Sequence, residues 1–435
     1  MVITESDKFQ VYINEVCSQI SLRDAHQEIK LELMSHLREG CDEYLSQGFS
    51  DDEAVSKAIA QMGDAALVGK QLDKVHKPKQ EWSILALSLL FVSTGLLVLY
   101  FMGNQGLLTT SFFTKGLLYT TLGVFIIAGL YFFDYRKLEA YSKHIYVGTI
   151  LLLAITYFSG LSISGKHWLQ IGGVTLDVAA ISPLLFAITL AGILNKWDWS
   201  KSRMLLSGLL LCVMPLVFIL LNGSLAAGAI YFITCMVFLI VSGAGYRIAL
   251  LLMGLAGGTT ALSIISKPYI LHRLTAFINT HADPLGSSYQ TIMLSNLISS
   301  SGYYGQSFTF DTRGIPAAHT DFIFAYISCT FGWIAAIILA VLIMMFLIRM
   351  TRIAVIVKNN YARLLASGLA AIFAVQFLWN IAMNLGFAPI SEVGLPFISY
   401  GGSQLIINAL AVGIILSIYR RKNGPIDNQG GPVNL

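Results

Sequence analysis

The sequence predicts an all-α, polytopic membrane protein, with about ten transmembrane helices behind a small cytoplasmic N-terminal helical bundle. Three observations predict it. Of the 435 residues, 55% are hydrophobic and only 12% charged, about half the ~25% charge of a soluble domain. Apolar runs recur from residue 83 onward, each near the ~20 residues that carry a helix across ~30 Å of hydrocarbon. Fourteen of the 24 acids fall in residues 1–80, against nine of the 28 basic residues. An acidic, soluble segment therefore precedes the membrane portion.

Residues 1–80 show helical periodicity. Phe9, Ile13, Val16 and Ile20 recur at helical spacing, as do Ile29, Leu33 and Leu37. Ser50 with Glu53 has the layout of a capping box and opens a third helix through Ala54, Ala58 and Met62, with Gly63 as its stop. Three short helices are thus expected. No basic run precedes an apolar one, so the segment does not read as a signal peptide. Lys70, Lys74, Lys77 and Lys79 read as a polar linker to Trp82 at the first membrane boundary.

The membrane domain is expected over 81–422, with a flexible cytoplasmic tail at 423–435. Its spans fall at about 84–102, 116–133, 145–161, 178–194, 204–221, 224–241, 247–265, 320–348, 364–388 and 401–419. The fifth and sixth are joined tightly at Asn222-Gly223. With the N-terminus inside, fourteen basic residues of this portion lie in cytoplasmic loops, Arg136, Lys196, Arg349 and Arg420 among them. Only Lys115, Lys166, Lys267, Arg273 and Arg313 face the other side. That asymmetry places both termini in the cytoplasm. Five cysteines (Cys17, Cys41, Cys212, Cys235, Cys329) have neither disulfide nor zinc spacing and read as buried thiols.

Most connections are short, but residues 266–319 form one long outer loop, and loops of that length are commonly functional. It holds Lys267, His272, Arg273, Asp283, Asp311, Arg313 and His319, and Asp321 follows at the head of an apolar run. An acid beside hydrocarbon is costly and marks a functional candidate. It reads equally as a charge favoured by the positive end of a helix. Nothing resembles a phosphate-binding Walker loop, a dinucleotide fingerprint or a zinc-protease motif, and the basic residues form no nucleic-acid patch.

Three stretches, HRLTAFINTHADPLGSSYQ (272–290), HTDFIFA (319–325) and GLPFISYGGS (394–403), resemble the SEDS family. These are the shape, elongation, division and sporulation proteins of the FtsW/RodA/SpoVE group, and the likeness extends over about residues 84–422. The resemblance implies a glycosyltransferase that polymerises lipid II, the undecaprenyl-pyrophosphate-linked precursor of peptidoglycan, in the cytoplasmic membrane of a bacterium. It implies a class B penicillin-binding transpeptidase as partner, alongside other cell-wall or division-machinery membrane proteins, and no nucleic acid. Asp321 matches the family's outer-loop aspartate and is the catalytic candidate. Arg273, Asp283, Pro284, Tyr289 and Gln290 match one motif, and Pro396, Ser399, Tyr400, Gly401 and Gly402 another. His319 and Thr320 flank the aspartate as substrate-binding candidates. The N-terminal segment resembles the small HAAS or permease-prefix helical domain that precedes some membrane proteins.

Glycan polymerisation activates a sugar hydroxyl against an anomeric carbon while a lipid pyrophosphate leaves. A carboxylate serves as general base, which fits Asp321. Cations are needed where pyrophosphate charge develops, and Arg273, Lys267, Lys166 and His167 are the candidates. Each also reads as a solvated or headgroup-contacting residue, the commoner role for such a side chain. The lipid tail is expected to enter between spans, near Gly254, Gly257 and Gly258. No cofactor is required, although the chemistry leaves room for a divalent cation such as Mg2+.

Some positions depart from the family pattern. The third-to-fourth-span loop reads Ser164-Gly165-Lys166-His167-Trp168, and the expected acid at the head of the fourth span is absent, with Asp177 nearby. Leu221-Asn222-Gly223-Ser224-Leu225 replaces an acid-bearing turn, and Ser328-Cys329-Thr330 replaces an acidic pair. These losses favour a second reading, a catalytically weak regulatory scaffold. A third, a lipid flippase, calls for a polar path across the bilayer, and the spans carry few ionisable residues.

Overall fold

A computed structural model describes residues 5–20, 26–76, 81–163, 165–172, 174–266, 271, 274–275, 277–279, 288–306 and 317–422. The chain divides into two compact units, Met1–Gln80 with Tyr419–Leu435, and Glu81–Ile418.

Among the described residues the first unit is a bundle of four helices: α1 (Glu5–Ser18), α2 (His26–Ser46), α3 (Asp51–Met62) and α4 (Ala65–His76). Phe9, Ile13, Val16, Ile29, Leu33, Leu37 and Val55 close its core. The Glu53 carboxylate accepts from the Ser50 N–H and hydroxyl, which holds that carboxyl below its usual range. The fourth helix corrects the expectation of three helices and a linker. Asp64 Oδ1 accepts from the Leu67 N–H at 2.9 Å and caps it. Ala65, Val68 and Leu72 join the core while Lys70 and Lys74 stay exposed. The lysines mark the wet face of a helix, one turn apart. Lys77 and Lys79 lie outside the described residues.

The second unit is a multi-pass helical membrane protein. Among the described residues its helices are α5 (Trp82–Asn104), α6 (Thr110–Phe132), α7 (Arg136–Ser159), α8 (Val178–Leu194), α9 (Ser202–Leu221), α10 (Leu225–Val241), α11 (Tyr246–Ser266), α12 (Tyr289–Ser300), α13 (Ile323–Ile356), α14 (Asn360–Asn384) and α15 (Gly402–Arg420). Seven of them, α5, α6, α9, α11, α13, α14 and α15, are long and apolar enough to cross a membrane. The apolar α8 and α10 are shorter, at 17 residues each. α7 opens on Arg136, Lys137 and Glu139 before turning apolar. Each of the ten expected spans therefore falls on a helix. α14 packs against α8, α10 and α13 near the centre of the unit, and α6 and α11 are largely uncovered.

Two features were not anticipated. Between α7 and α8 lies a three-stranded antiparallel meander, β1 (Leu161–Ile163), β2 (Lys166–Ile171) and β3 (Val174–Leu176), with Ser162 opposite His167 and Gln170 opposite Thr175. The second is a break in α13 at Gly332, where φ is 84°. A Cβ there would sit 2.2 Å from the Tyr303 carbonyl oxygen, so the turn after α12 packs into the kink. The Trp333 N–H donates to Gly302 O at 3.1 Å and the Gln306 N–H to Cys329 O at 2.8 Å. All five cysteines are buried and none forms a disulfide.

Candidate functional site

The run His319-Thr320-Asp321 lies just before α13 and is held by its own backbone. Ala317 adopts a left-handed φ of 53°, and the N–H groups of Thr320 and Phe322 both donate to its carbonyl. The Asp321 carbonyl accepts from Asn380 Nδ2 at 2.9 Å and from Asn384 Nδ2 at 3.1 Å. Both asparagines are fully buried on α14, and Asn380 Nδ2 also donates to Val393 O. Ser399 Oγ donates to Thr320 O, and the Tyr400 N–H donates to His319 O at 2.8 Å. All three carbonyls of the run are thereby fixed. Asp321 sits outside the helix, whose first residue is Ile323.

The loop before α15 supplies the other half of the cradle. The Leu395 N–H donates to Ser399 Oγ at 2.7 Å. Phe397, at a left-handed φ of 67°, is buried and stacks on Phe373 at 5.8 Å. Gly95 on α5 allows close approach, since a Cβ there would lie 2.4 Å from Ile398 O. Phe112, His319 and Tyr400 form a ring cluster with centroids 5.0–5.9 Å apart. Burial pushes the His319 imidazole down. Burial, then the Tyr119 hydroxyl, pushes Tyr400 up.

A second cluster forms on the meander. Lys166 Nζ pairs with Asp177 Oδ2 at 2.5 Å and with Glu392 Oε2 at 3.2 Å. Burial alone would lower this ammonium, but the charges of Asp177 and then Glu392 outweigh it and raise it above the usual lysine range. Asp177 Oδ1 also caps α8 by accepting from the Ala180 N–H at 3.0 Å. The His167 N–H donates to Asn222 O, and its ring packs on Tyr157 at 5.3 Å. Asn222 is itself buried and donates to Leu153 O and Phe218 O. The turn that replaces an acid-bearing one thus anchors the meander.

Lys166 and Glu392 also line a cavity of about 590 Å3 whose walls come from α9, α10, α11 and α14. Leu216, Leu220, Ala256, Gly257, Ile264 and Trp379 make it apolar. A Cβ at Gly254, Gly257 or Gly258 would meet nothing within 4 Å. These glycines border open space rather than a packed neighbour.

The structure therefore brings His319, Thr320, Asp321, Ser399 and Tyr400 together, and places Lys166 and His167 at the meander. Tyr289, exposed, and Gln290, half-buried, begin α12, which packs on α13. Lys267, Arg273 and Asp283 lie outside the described residues. The sequence reading passed over Asn380, Asn384 and Glu392 as site residues. The two asparagines had a usable signal, as polar residues one turn apart inside an apolar span. Ser328, Cys329 and Thr330 are buried in α13, with Ser328 Oγ donating to Phe324 O and Cys329 Sγ to Leu297 O. Among the described residues no three His, Cys, Asp or Glu side chains converge to hold a metal ion. The acids that do converge, Asp177 and Glu392, share Lys166. This donor set does not fit a divalent cation.

The model of the FtsW/RodA/SpoVE cell cycle protein family matches residues 80–424. The chain belongs to that family. Among curated relatives, a probable peptidoglycan glycosyltransferase FtsW of Coxiella burnetii is 30% identical over 354 residues, covering 78% of this chain and 95% of the relative. Stage V sporulation protein E of Bacillus subtilis is 28% identical, covering 79% and 98%. Two solved structures share the family fold. One, described as coordinating polymerization and crosslinking in a peptidoglycan synthase complex, has a TM-score of 0.69 at 23% identity, covering 80% of this chain and 99% of that one. The other is the rod shape determining protein RodA of Thermus thermophilus, with a TM-score of 0.60 at 22% identity, covering 79% and 97%.

Proposed function

We propose that the chain is a peptidoglycan glycosyltransferase that polymerises lipid II in the cytoplasmic membrane. The observation that carries this is the fixed His319-Thr320-Asp321 run, held by the Asn380/Asn384 pair and the 393–401 loop, in a chain of the FtsW/RodA/SpoVE family. Asp321 takes the proton of the attacking sugar hydroxyl. The new bond forms at the anomeric carbon of the second substrate, whose bond to the lipid pyrophosphate breaks. The apolar cavity suits a lipid tail. Lys166 lies at its polar end, and Arg273 and Lys267, from the sequence, are further cations for the leaving group. The excess of basic residues in one set of loops supports an orientation with both termini in the cytoplasm and the meander and Asp321 outside. The partner is a class B transpeptidase, in keeping with the polymerization and crosslinking ascribed to one structural neighbour.

The test is lipid II polymerisation by the purified full-length protein, with and without a class B partner. Asp321→Asn keeps the size of the side chain and removes its basic oxygen. The rate should fall by roughly 10²–10⁴-fold, with the melting temperature nearly unchanged. An Asp321→Asn rate equal to wild type removes Asp321 from the chemistry. The buried Ser328 and Cys329, standing where the family has acids, favour a second reading, a weakly active scaffold. A wild type that makes no glycan with any partner is its signature.

A further inference from the structure

Lys166 has two counterions, and they are held very differently. Asp177 uses both oxygens, one on Lys166 and one on the α8 N-terminus, and its side chain is 13% exposed. Glu392 offers one oxygen at 3.2 Å, makes no other hydrogen bond among the described residues, and its side chain is 47% exposed on the loop between α14 and α15. A half-exposed ion pair is a weak one. Lys166 and Glu392, but not Asp177, line the apolar cavity.

The charges set the logic. One ammonium between two carboxylates carries a net charge of minus one, which repels any anion at the cavity's polar end. With Glu392 swung into solvent, Lys166 and Asp177 are neutral together. The ammonium, which has three N–H donors, is then able to donate to a phosphate oxygen. Asp177 keeps it charged and in place. The cavity's apolar walls select an amphiphile, and its cationic end selects an anionic head.

We propose that Glu392 is a displaceable counterion: it holds Lys166 while the cavity is empty and yields it to the phosphate of an incoming isoprenoid pyrophosphate, with Asp177 staying paired. This rests on the functional reading above and adds to it a gate at residue 392. The competing arrangement is a permanent staple, in which Glu392 ties the meander to the α14–α15 loop with or without ligand.

The two arrangements predict opposite signs for one variant. Binding is measured on full-length protein in detergent, with farnesyl pyrophosphate as probe and farnesol as its headless control. If Glu392 competes with the ligand, Glu392→Gln binds farnesyl pyrophosphate roughly fivefold tighter, the scale of one weak ion pair removed. Lys166→Gln binds it at least tenfold more weakly, and farnesol binds all three proteins alike. A gain in affinity cannot arise from a damaged fold, so Glu392→Gln decides even if Lys166→Gln folds poorly. Equal or weaker binding by Glu392→Gln overturns the proposal, as does tighter binding of farnesol, which would trace the gain to a widened cavity. A wild type that binds no farnesyl pyrophosphate at millimolar concentration overturns it too. None of these readouts needs glycan synthesis. A chain that shows the exchange yet polymerises nothing sinks only the polymerase reading.

Discussion

Asn380 and Asn384 show how a catalytic candidate is positioned by residues that carry no charge. Each donates to the Asp321 carbonyl from a buried helix. A hydrogen bond between membrane helices contributes ~0.6–1.7 kcal/mol, and a buried carbonyl left without one partner costs roughly 1–3 kcal/mol. Asn384→Leu should therefore lower the melting temperature and let the run drift. A positioning role predicts that kcat falls while KM holds, and an unchanged kcat would reduce Asn384 to a structural part. His319 carries a second expectation at this scale. Burial lowers its folded pKa below the ordinary 6.5, so the unfolded chain binds the proton more tightly. Its contribution to stability is complete above about pH 6.5 and is lost as pH falls through the folded value. Thermal melts of wild type and His319→Gln should converge in acid relative to their separation at pH 8. A constant separation would show that His319 does not titrate on unfolding.

Helices were the legible part of the sequence, because a span announces itself by length and apolarity. α8 coincides with its expected 178–194. The meander was not legible. Its strands are three to six residues long, and its position is set by a partner far along the chain, Asn222 O for the His167 N–H. The break in α13 was hidden for a similar reason. A glycine in an apolar run reads as tolerated helix interior until the turn at Tyr303–Gly305 is seen to fill the gap. Asp321 was singled out by its charge against hydrocarbon, whereas its supports are backbone carbonyls and amide side chains that no motif encodes. The kink yields its own test. Gly332→Ala forces a Cβ into a positive-φ, extended conformation that is essentially glycine's alone, costing ~1–3 kcal/mol, and against Tyr303 O. The variant should melt well below wild type. Gly254→Ala, facing open space on α11, should melt with wild type. Equal melting of the two variants would mean that the α12–α13 turn is not packed into the break.

At the scale of the whole molecule, the division into units follows from where apolar surface is closed. The core of the first unit is built from Phe9 to Ala65, with Val68 and Leu72 packed on it, all from its own residues. Its surplus of five acids over bases is repelled by anionic lipid headgroups, so neither its core nor its charge asks for the bilayer. The family match begins only at residue 80, and the second unit completes its own packing with α5, which starts at Trp82. Removing residues 1–80 should therefore leave a membrane-inserted, monodisperse protein with the melting temperature and polymerisation rate of the full chain. Residues 1–80 alone should be soluble and helical by circular dichroism, should melt cooperatively, and should not sediment with vesicles containing anionic lipid. A bundle of this size buries little surface and is marginal by nature, so a low melting temperature for the isolated piece is compatible with the idea, whereas a non-cooperative melt is not. Aggregation of the shortened membrane protein would show that the bundle shields apolar surface on the second unit. A changed polymerisation rate in a well-behaved shortened protein would instead make the bundle a regulator of the site.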